Sequence, residues 1–431
     1  MKRKNVKLYK MVEPILTHSP KKAHRTFPTE SQVLELGETL EITPELLNPE
    51  GATYSWLVNG KEYSTEPTFS YKIDNPCRAD LTCIIKNKYG KVEMSTSFSS
   101  NHNFSKGFFY VADGTFNFYD TEKKTAYQDC YASLNAGKTL GIGNYDSANI
   151  IHSNGKFYLL VGTSTSNRDH FYIVDAKTLY YENSAVVGAN LSGLTILNEQ
   201  YGLVTGDGIR RIDLKSLNNV RIKNERLLCF YNSIIYNGKV LSNDTYKDES
   251  KVKYYDVNEL IAAKEGEAPA VTELDIIQKQ KINFVLAKDG NVYTLESADN
   301  GCNIVKIKND FTLEKVFANF QPAKGPYHSS PTIGMVASET ENIIYLVSTD
   351  GAIFKYILGD SDSLKAPFIA AESGVSITAP LQLNQQSGEL YVTYTEERKD
   401  ESKIVVYSKD GKVLHTVDCG ESVPSQILFN N

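Results

Sequence analysis

The chain has no long apolar run. No stretch of it approaches the roughly 18 uncharged residues that a membrane-crossing helix needs, so no transmembrane helix is read in it. It has no basic excess either: 46 Lys and Arg stand against 52 Asp and Glu, a formal net charge of -6. That balance leaves no electrostatic footprint for nucleic acid, and none is expected as a partner. Cysteine is sparse and scattered, at positions Cys77, Cys83, Cys130, Cys229, Cys302 and Cys419. No two of these form CxxC and no His lies at zinc spacing beside them, which removes the common zinc patterns. Cys77 and Cys83 can bridge only if a turn brings them together, and free buried thiols are the expected state. Catalytic signatures are missing: there is no GxSxG, no HExxH and no phosphate-binding glycine loop. The Asp-Gly pairs at 113–114, 207–208, 289–290, 350–351 and 410–411 are not spaced as a calcium loop; they sit at strand ends and read as hairpin turns.

An export signal is also not legible. Residues 1–29 are a basic leader expected to lack fixed structure. No apolar core of about 7–15 residues follows the charges, as a secretory signal requires, and no lipoprotein cysteine site appears. On these residues the chain either stays in the cytoplasm or has its true start upstream of Met1.

Tyrosine is plentiful, 27 residues against a single Trp, and in an alternating sequence this is first of all strand propensity. Ser147–Leu191 holds four short strands between turn signals: one into the Asn154-Gly155 turn, Phe157–Val161, Phe171–Val174 ending in Asp175, and one around Tyr180–Val187. The phrase returns. Its third strand recurs as Phe116–Asp120, Phe171–Asp175, Ile209–Asp213 and Val252–Asp256, and more weakly as Ile304–Ile307, Ile353–Tyr356 and Ile404–Tyr407. Seven copies of four strands, with a period of roughly 40–50 residues, are the signature of propeller blades. The first copy lacks its innermost strand, and the tail Ser425–Phe429 is expected to supply it and close the ring. The recurring Asp120, Asp175, Asp213 and Asp256 read as turn residues that accept backbone N–H groups. Asp256–Glu265 reads as one short helix between the third and fourth strands of its blade.

Before the ring, residues 30–100 alternate in short strands around an Asn59-Gly60 hairpin, the pattern of a small β-sandwich with Trp56 in its core. Tyr54 and Tyr89 are assigned to the same scaffold. Residues 101–107 read as a linker and 108–431 as the propeller. The fold class is therefore all-β: an immunoglobulin- or PKD-like sandwich followed by a seven-bladed propeller.

By analogy with other propellers, ligands lie on the face that collects two sets of loops. One set joins the second and third strands of a blade; the other joins the last strand of a blade to the first of the next. These loops supply Asn144, Tyr145, Arg168, Asp169, Asn190, Tyr246, Tyr327, His328 and Arg398. Aromatic faces with amide and guanidinium donors suit a large polar organic ligand, and they suit a protein partner equally. His152, His170 and His328 are the only histidines near this face. No cofactor, no metal and no enzymatic activity are expected.

The segment YSWLVNG with LTCIIKNKYGKVEMSTSF resembles the PKD and immunoglobulin-like modules of bacterial surface proteins. The blade phrase GKFYLLVGTSTSNRDHFYIVDAKTL resembles YVTN-type seven-bladed propellers. The pairing of the two is similar to surface lipoproteins of Bacteroidota, some of which capture cobalamin outside the outer membrane and pass it to a transporter. That resemblance implies a non-enzymatic surface protein for a nutrient such as a corrinoid, an outer-membrane transporter as partner, and attachment to the membrane only through a lipid anchor absent from the N terminus given. An adhesion or protein-docking propeller is the alternative.

Overall fold

In a computed structural model the described residues are 24–25, 28, 30–44, 46, 49–88, 90–140, 147–162, 168–189, 191–206, 208–223, 233–243, 250–267, 269–278, 283–323, 334–396 and 401–430. The chain forms two compact units. One comprises Met1–Lys106 with Thr115–Asp120 and Thr125–Leu140; the other comprises Gly107–Gly114, Thr121–Lys124 and Gly141–Asn431.

The first unit contains a sandwich. Its larger sheet runs in the order Gln32–Glu35, Gly90–Asn101, Arg78–Asn87, Thr53–Val58 and Lys61–Ser64; the smaller pairs His24–Arg25 with Thr39–Ile42 and then Phe69–Lys72. His24 and Arg25 pair with Glu41 and Ile42, so the chain joins the sheet before residue 30. Alternation drives the arrangement: along Arg78–Asn87, Ala79, Leu81, Cys83 and Ile85 are buried and the residues between them are not. Trp56 is fully buried among Leu40, Ile42, Phe69 and Phe98, and its indole N–H donates to the Glu66 carbonyl at 2.8 Å. Tyr54 packs against the same core. The hairpin turn at Asn59 and Gly60 has φ of 51° and 77°, the left-handed pair that a two-residue I′ turn requires and that Asn-Gly tolerates best. Tyr89 lies outside the described residues.

Seven further sheets form the propeller. From the inside outward the first blade is Pro424–Leu428, Gly107–Ala112, Thr115–Asp120 and Thr125–Tyr127. The tail thus supplies the inner strand, with Ile427 opposite Tyr110 and Leu428 opposite Phe109. The next four blades follow the chain in order. The second is Ser147–Ser153, Lys156–Gly162, Asp169–Asp175 and Tyr181–Gly188. The third is Leu191–Ile196, Tyr201–Gly206, Gly208–Asp213 and Asn219–Lys223. The fourth is Ile234–Tyr236, Lys239–Asn243, Ser250–Asp256 and Val271–Gln278, and the fifth is Val285–Leu286, Val292–Ala298, Gly301–Ile307 and Leu313–Phe320.

Two blades depart from the repeat. The sixth has three strands, Met335–Ala337, Ile343–Val347 and Ile353–Ile357. Its outer edge is a 3-10 turn at Ser361–Leu364 and a single bridge from Ile353 to Ile369. In the seventh the inner strand is split into Val375–Ile377 and Gln382–Leu383, both paired with Leu390–Glu396. Pro380 lies in the gap, where it has no N–H to give to a ladder. The outer strands of this blade are Glu401–Tyr407 and Val413–Gly420.

The core is divided into wedges between neighbouring sheets, because successive side chains point to opposite faces. In the fifth blade Val292 packs with Leu241 and Ile276 of the fourth, while Tyr293 and Leu295 pack with Ile344 and Leu346 of the sixth. The expected short helix forms as Val257–Ala262, capped by Asp256. Cys77, Cys83, Cys130, Cys302 and Cys419 are thiols that take part in no disulfide. Burial pushes Cys77 up to about 11 and Cys83 and Cys419 up to about 12, which keeps them unreactive. Cys229 lies outside the described residues.

Candidate functional site: the loop face of the propeller

The two faces of the propeller are built differently. On one, the turns repeat. Asn154-Gly155 and Asn237-Gly238 carry positive φ at both positions and join first strands to second. The third-to-fourth turns repeat an aspartate. Asp175 Oδ1 accepts the Lys177 and Thr178 N–H groups at 3.1 and 2.8 Å. Asp213 Oδ1 accepts those of Lys215 and Ser216 at 3.0 and 2.7 Å. Asp256 Oδ1 accepts those of Asn258 and Glu259 at 2.8 and 3.1 Å. These acids serve the turns that the sequence assigned to them.

The opposite face carries the loops expected to bind. They are uneven in length. Gly206 and Gly208 are separated by one residue and Ala298 and Gly301 by two, whereas 14 residues separate Phe320 from Met335. Just below this face a bulge recurs between third and fourth strands, at Asp169/His170, Ile209/Arg210, Lys251/Lys253, Cys302/Ile304 and Ser402/Lys403. Such bulges increase local twist and re-aim side chains; recurring in this way, they belong to the blade rather than to one ligand.

Buried polar side chains link the blades. Asp169, 2% exposed, accepts the Leu191 N–H of the next blade at 2.5 Å. Asn243 Nδ2 donates to Gln278 Oε1 at 2.6 Å, and Gln278 Nε2 donates to Thr294 Oγ1 and the Leu295 carbonyl, both at 3.0 Å. Thr294 Oγ1 donates to the Asn283 carbonyl at 3.0 Å, and the Asn283 amide exchanges bonds with the Met335 backbone at 2.6 and 3.1 Å. The line runs from the fourth blade to the sixth with each named group satisfied, as buried polar groups demand. His152, expected near the ligand face, instead lies beside the Asn154-Gly155 turn at the opposite end of the inner strand of the second blade, facing Phe157 with ring centroids 5.1 Å apart and planes tilted by 49°. Burial holds its imidazole below the ordinary value.

Of the candidate ligand residues, only Arg168 and Asp169 are described. Arg168 is exposed. Asp169 is turned inward to its inter-blade bond. Asn144, Tyr145, Asn190, Tyr246, Tyr327, His328 and Arg398 lie outside the described residues. Sequence reasoning passed over Arg210 and Arg221, which stand opposite each other on adjacent strands of the third blade. IRRID sets Arg210 and Arg211 side by side where the copies FYIVD and VKYYD have at most one cation, but nothing in it points to Arg221 on the next strand. Among the described residues, no group of three or more His, Cys, Asp or Glu is arranged to hold a metal ion.

Residues 104–430 match the family described as Domain of unknown function (DUF5074), and residues 22–87 match a PKD-like domain. No curated protein matches the chain. Among solved structures it is similar to a quinonprotein alcohol dehydrogenase-like protein of Bacteroides thetaiotaomicron, with 97% identity, 97% of this chain and 99% of that one covered, and a TM-score of 0.92. It is also similar to a functionally unknown protein of Desulfotomaculum acetoxidans at 13% identity, with 75% of this chain and 99% of that one covered and a TM-score of 0.49. A periplasmic gluconolactonase of Pseudomonas aeruginosa gives 10% identity, with 75% and 100% covered and a TM-score of 0.48. The chain belongs to the family described as Domain of unknown function (DUF5074), its propeller preceded by a PKD-like domain.

Proposed function

We propose that the protein binds rather than turns over its ligand, holding a nutrient on the loop face of the propeller at the cell surface for delivery to an outer-membrane transporter. The observation that carries this reading is the contrast between the two faces. At one end of the second, third and fourth sheets the same aspartate is bonded to turn backbone N–H groups, and connections of unequal length stand at the other end. Rigid scaffold and variable loops are the arrangement in which recognition is placed on loops. The ligand class comes from the resemblance to YVTN-type propellers and to cobalamin-capturing surface lipoproteins of Bacteroidota: a corrinoid, large and polar enough to span several loops.

The test is a titration of the full chain with cyanocobalamin and hydroxocobalamin, followed by corrin absorbance and by heat. The reading predicts saturable binding with Kd below about 1 μM, equivalent to about −8 kcal/mol. An absence of binding at that level removes the corrinoid. Oxidation of an alcohol with a quinone acceptor would overturn the non-enzymatic reading in favour of the chemistry in the name of the Bacteroides relative.

A further inference from the structure

One corner of the loop face, where the second and third blades meet, concentrates positive charge. Arg210 and Arg221 are directly opposite in register, and both are half-buried. Like charges facing each other across strands destabilise a sheet, and partial burial removes the water that would screen them. Arg210 Nη1 donates to Asn219 Oδ1 at 3.2 Å; its Nε is buried with no hydrogen-bond partner. Burial, and after it the Arg221 charge, hold the Arg210 guanidinium below its ordinary value. The side chain lies against Gly188, where a Cβ would stand 3.0 Å from Nε. Gly188 pairs in turn with Asp169, the neighbour of exposed Arg168.

The fold does not ask for this arrangement. At the same distance from the turn aspartate, the fourth blade opposes Lys253 and Glu273, with Nζ and Oε1 3.7 Å apart. The second blade opposes Tyr172 and Ser184. Opposite or neutral partners therefore satisfy the same register elsewhere.

We propose that Arg210 and Arg221 form an anion site at the edge of the loop face, taking a phosphate or carboxylate group of the ligand. A guanidinium with an unused buried N–H offers a donor fork that fits either oxyanion. An anion seated there satisfies Arg210 Nε and offsets the repulsion between the two cations. The site rests on the loop-face reading for its place but is independent of the corrinoid.

Thermal melting of the full chain in sodium phosphate, sodium acetate and sodium chloride, at equal pH and ionic strength, tests it. Either oxyanion, or both, is expected to raise the midpoint over chloride in a saturable way; the responding salt identifies the anion class. Arg210→Met is expected to melt no lower than the parent in chloride, because the repulsion is gone, and to weaken the oxyanion response at least about tenfold, the scale of a charge-assisted bond. Equal response in parent and variant, or no response in the parent, overturns the site. Should Arg210→Met fail to fold, Arg221→Gln carries the same comparison. An intact oxyanion response without corrinoid binding overturns the ligand class alone; corrinoid binding without the oxyanion response overturns the anion site alone.

Discussion

Asp256 shows how much one turn residue does in this chain. Its Oδ1 caps the helix Val257–Ala262, and its Oδ2 meets Lys239 Nζ at 2.6 Å. Lys239 first, and then the Glu259 N–H, hold its carboxyl below the ordinary value; the Ser216 N–H does the same for Asp213. A carboxyl with a depressed folded pKa stabilises the fold above its unfolded value, near about 3.9, and that stabilisation is lost as pH falls through the folded value. Asp256→Ala is expected to cost about 1 kcal/mol in urea unfolding at pH 7, the usual worth of an N-cap. The deficit should shrink toward pH 3, where the parent's carboxylate is itself becoming protonated. A deficit that stays constant down to pH 2 would mean that ionisation is not the source. Asp169 shows the limit of residue-level reading. In TSTSNRDH it looks like a loop acid offered to a ligand, yet it is buried and bonded to Leu191 N, because the bulge beside it turns it toward the next blade. Local sequence does not carry that turn.

At the scale of the element, the decisive piece is the C-terminal strand. Ile427 and Leu428 are buried, Gln426 Nε2 donates to the Ile150 carbonyl of the second blade at 2.7 Å, and the Phe429 ring meets Tyr391 of the seventh at a centroid distance of 4.8 Å. Each large apolar side chain buried here is worth about 1.5–3 kcal/mol. Deleting residues 424–431 should therefore lower the melting midpoint by roughly ten degrees or more; an unchanged melt would contradict the closure. This closure was legible in the sequence, since an unpaired inner strand at one end and a surplus strand at the other fit together. The hairpins were legible too, because Asn-Gly at 59–60 and 154–155 specifies its own backbone; the structure adds the same pair at 237–238. The sixth blade's missing outer strand was not, and neither was the break around Pro380, because alternation reports strand character without reporting pairing. The Arg210–Arg221 opposition was hidden for the same reason: register across two strands, shifted by a bulge, does not appear in either strand alone. Most of the candidate loop residues fall outside the described residues.

For the molecule as a whole, we propose that recognition belongs to one face and scaffolding to the other. The turn aspartates Asp175, Asp213 and Asp256 recur and serve their turns, whereas the Arg210–Arg221 pair has no like-charged counterpart at the same register of the second and fourth blades. The measurement that reaches this claim most directly is amide hydrogen exchange of the full chain with and without saturating cyanocobalamin. Slowed exchange is predicted at Arg168–His170, Gly208–Arg211 and the other loop-face strand ends, with the Asn154-Gly155 and Asn237-Gly238 turns unchanged. No change anywhere, or protection confined to those turns, would contradict it.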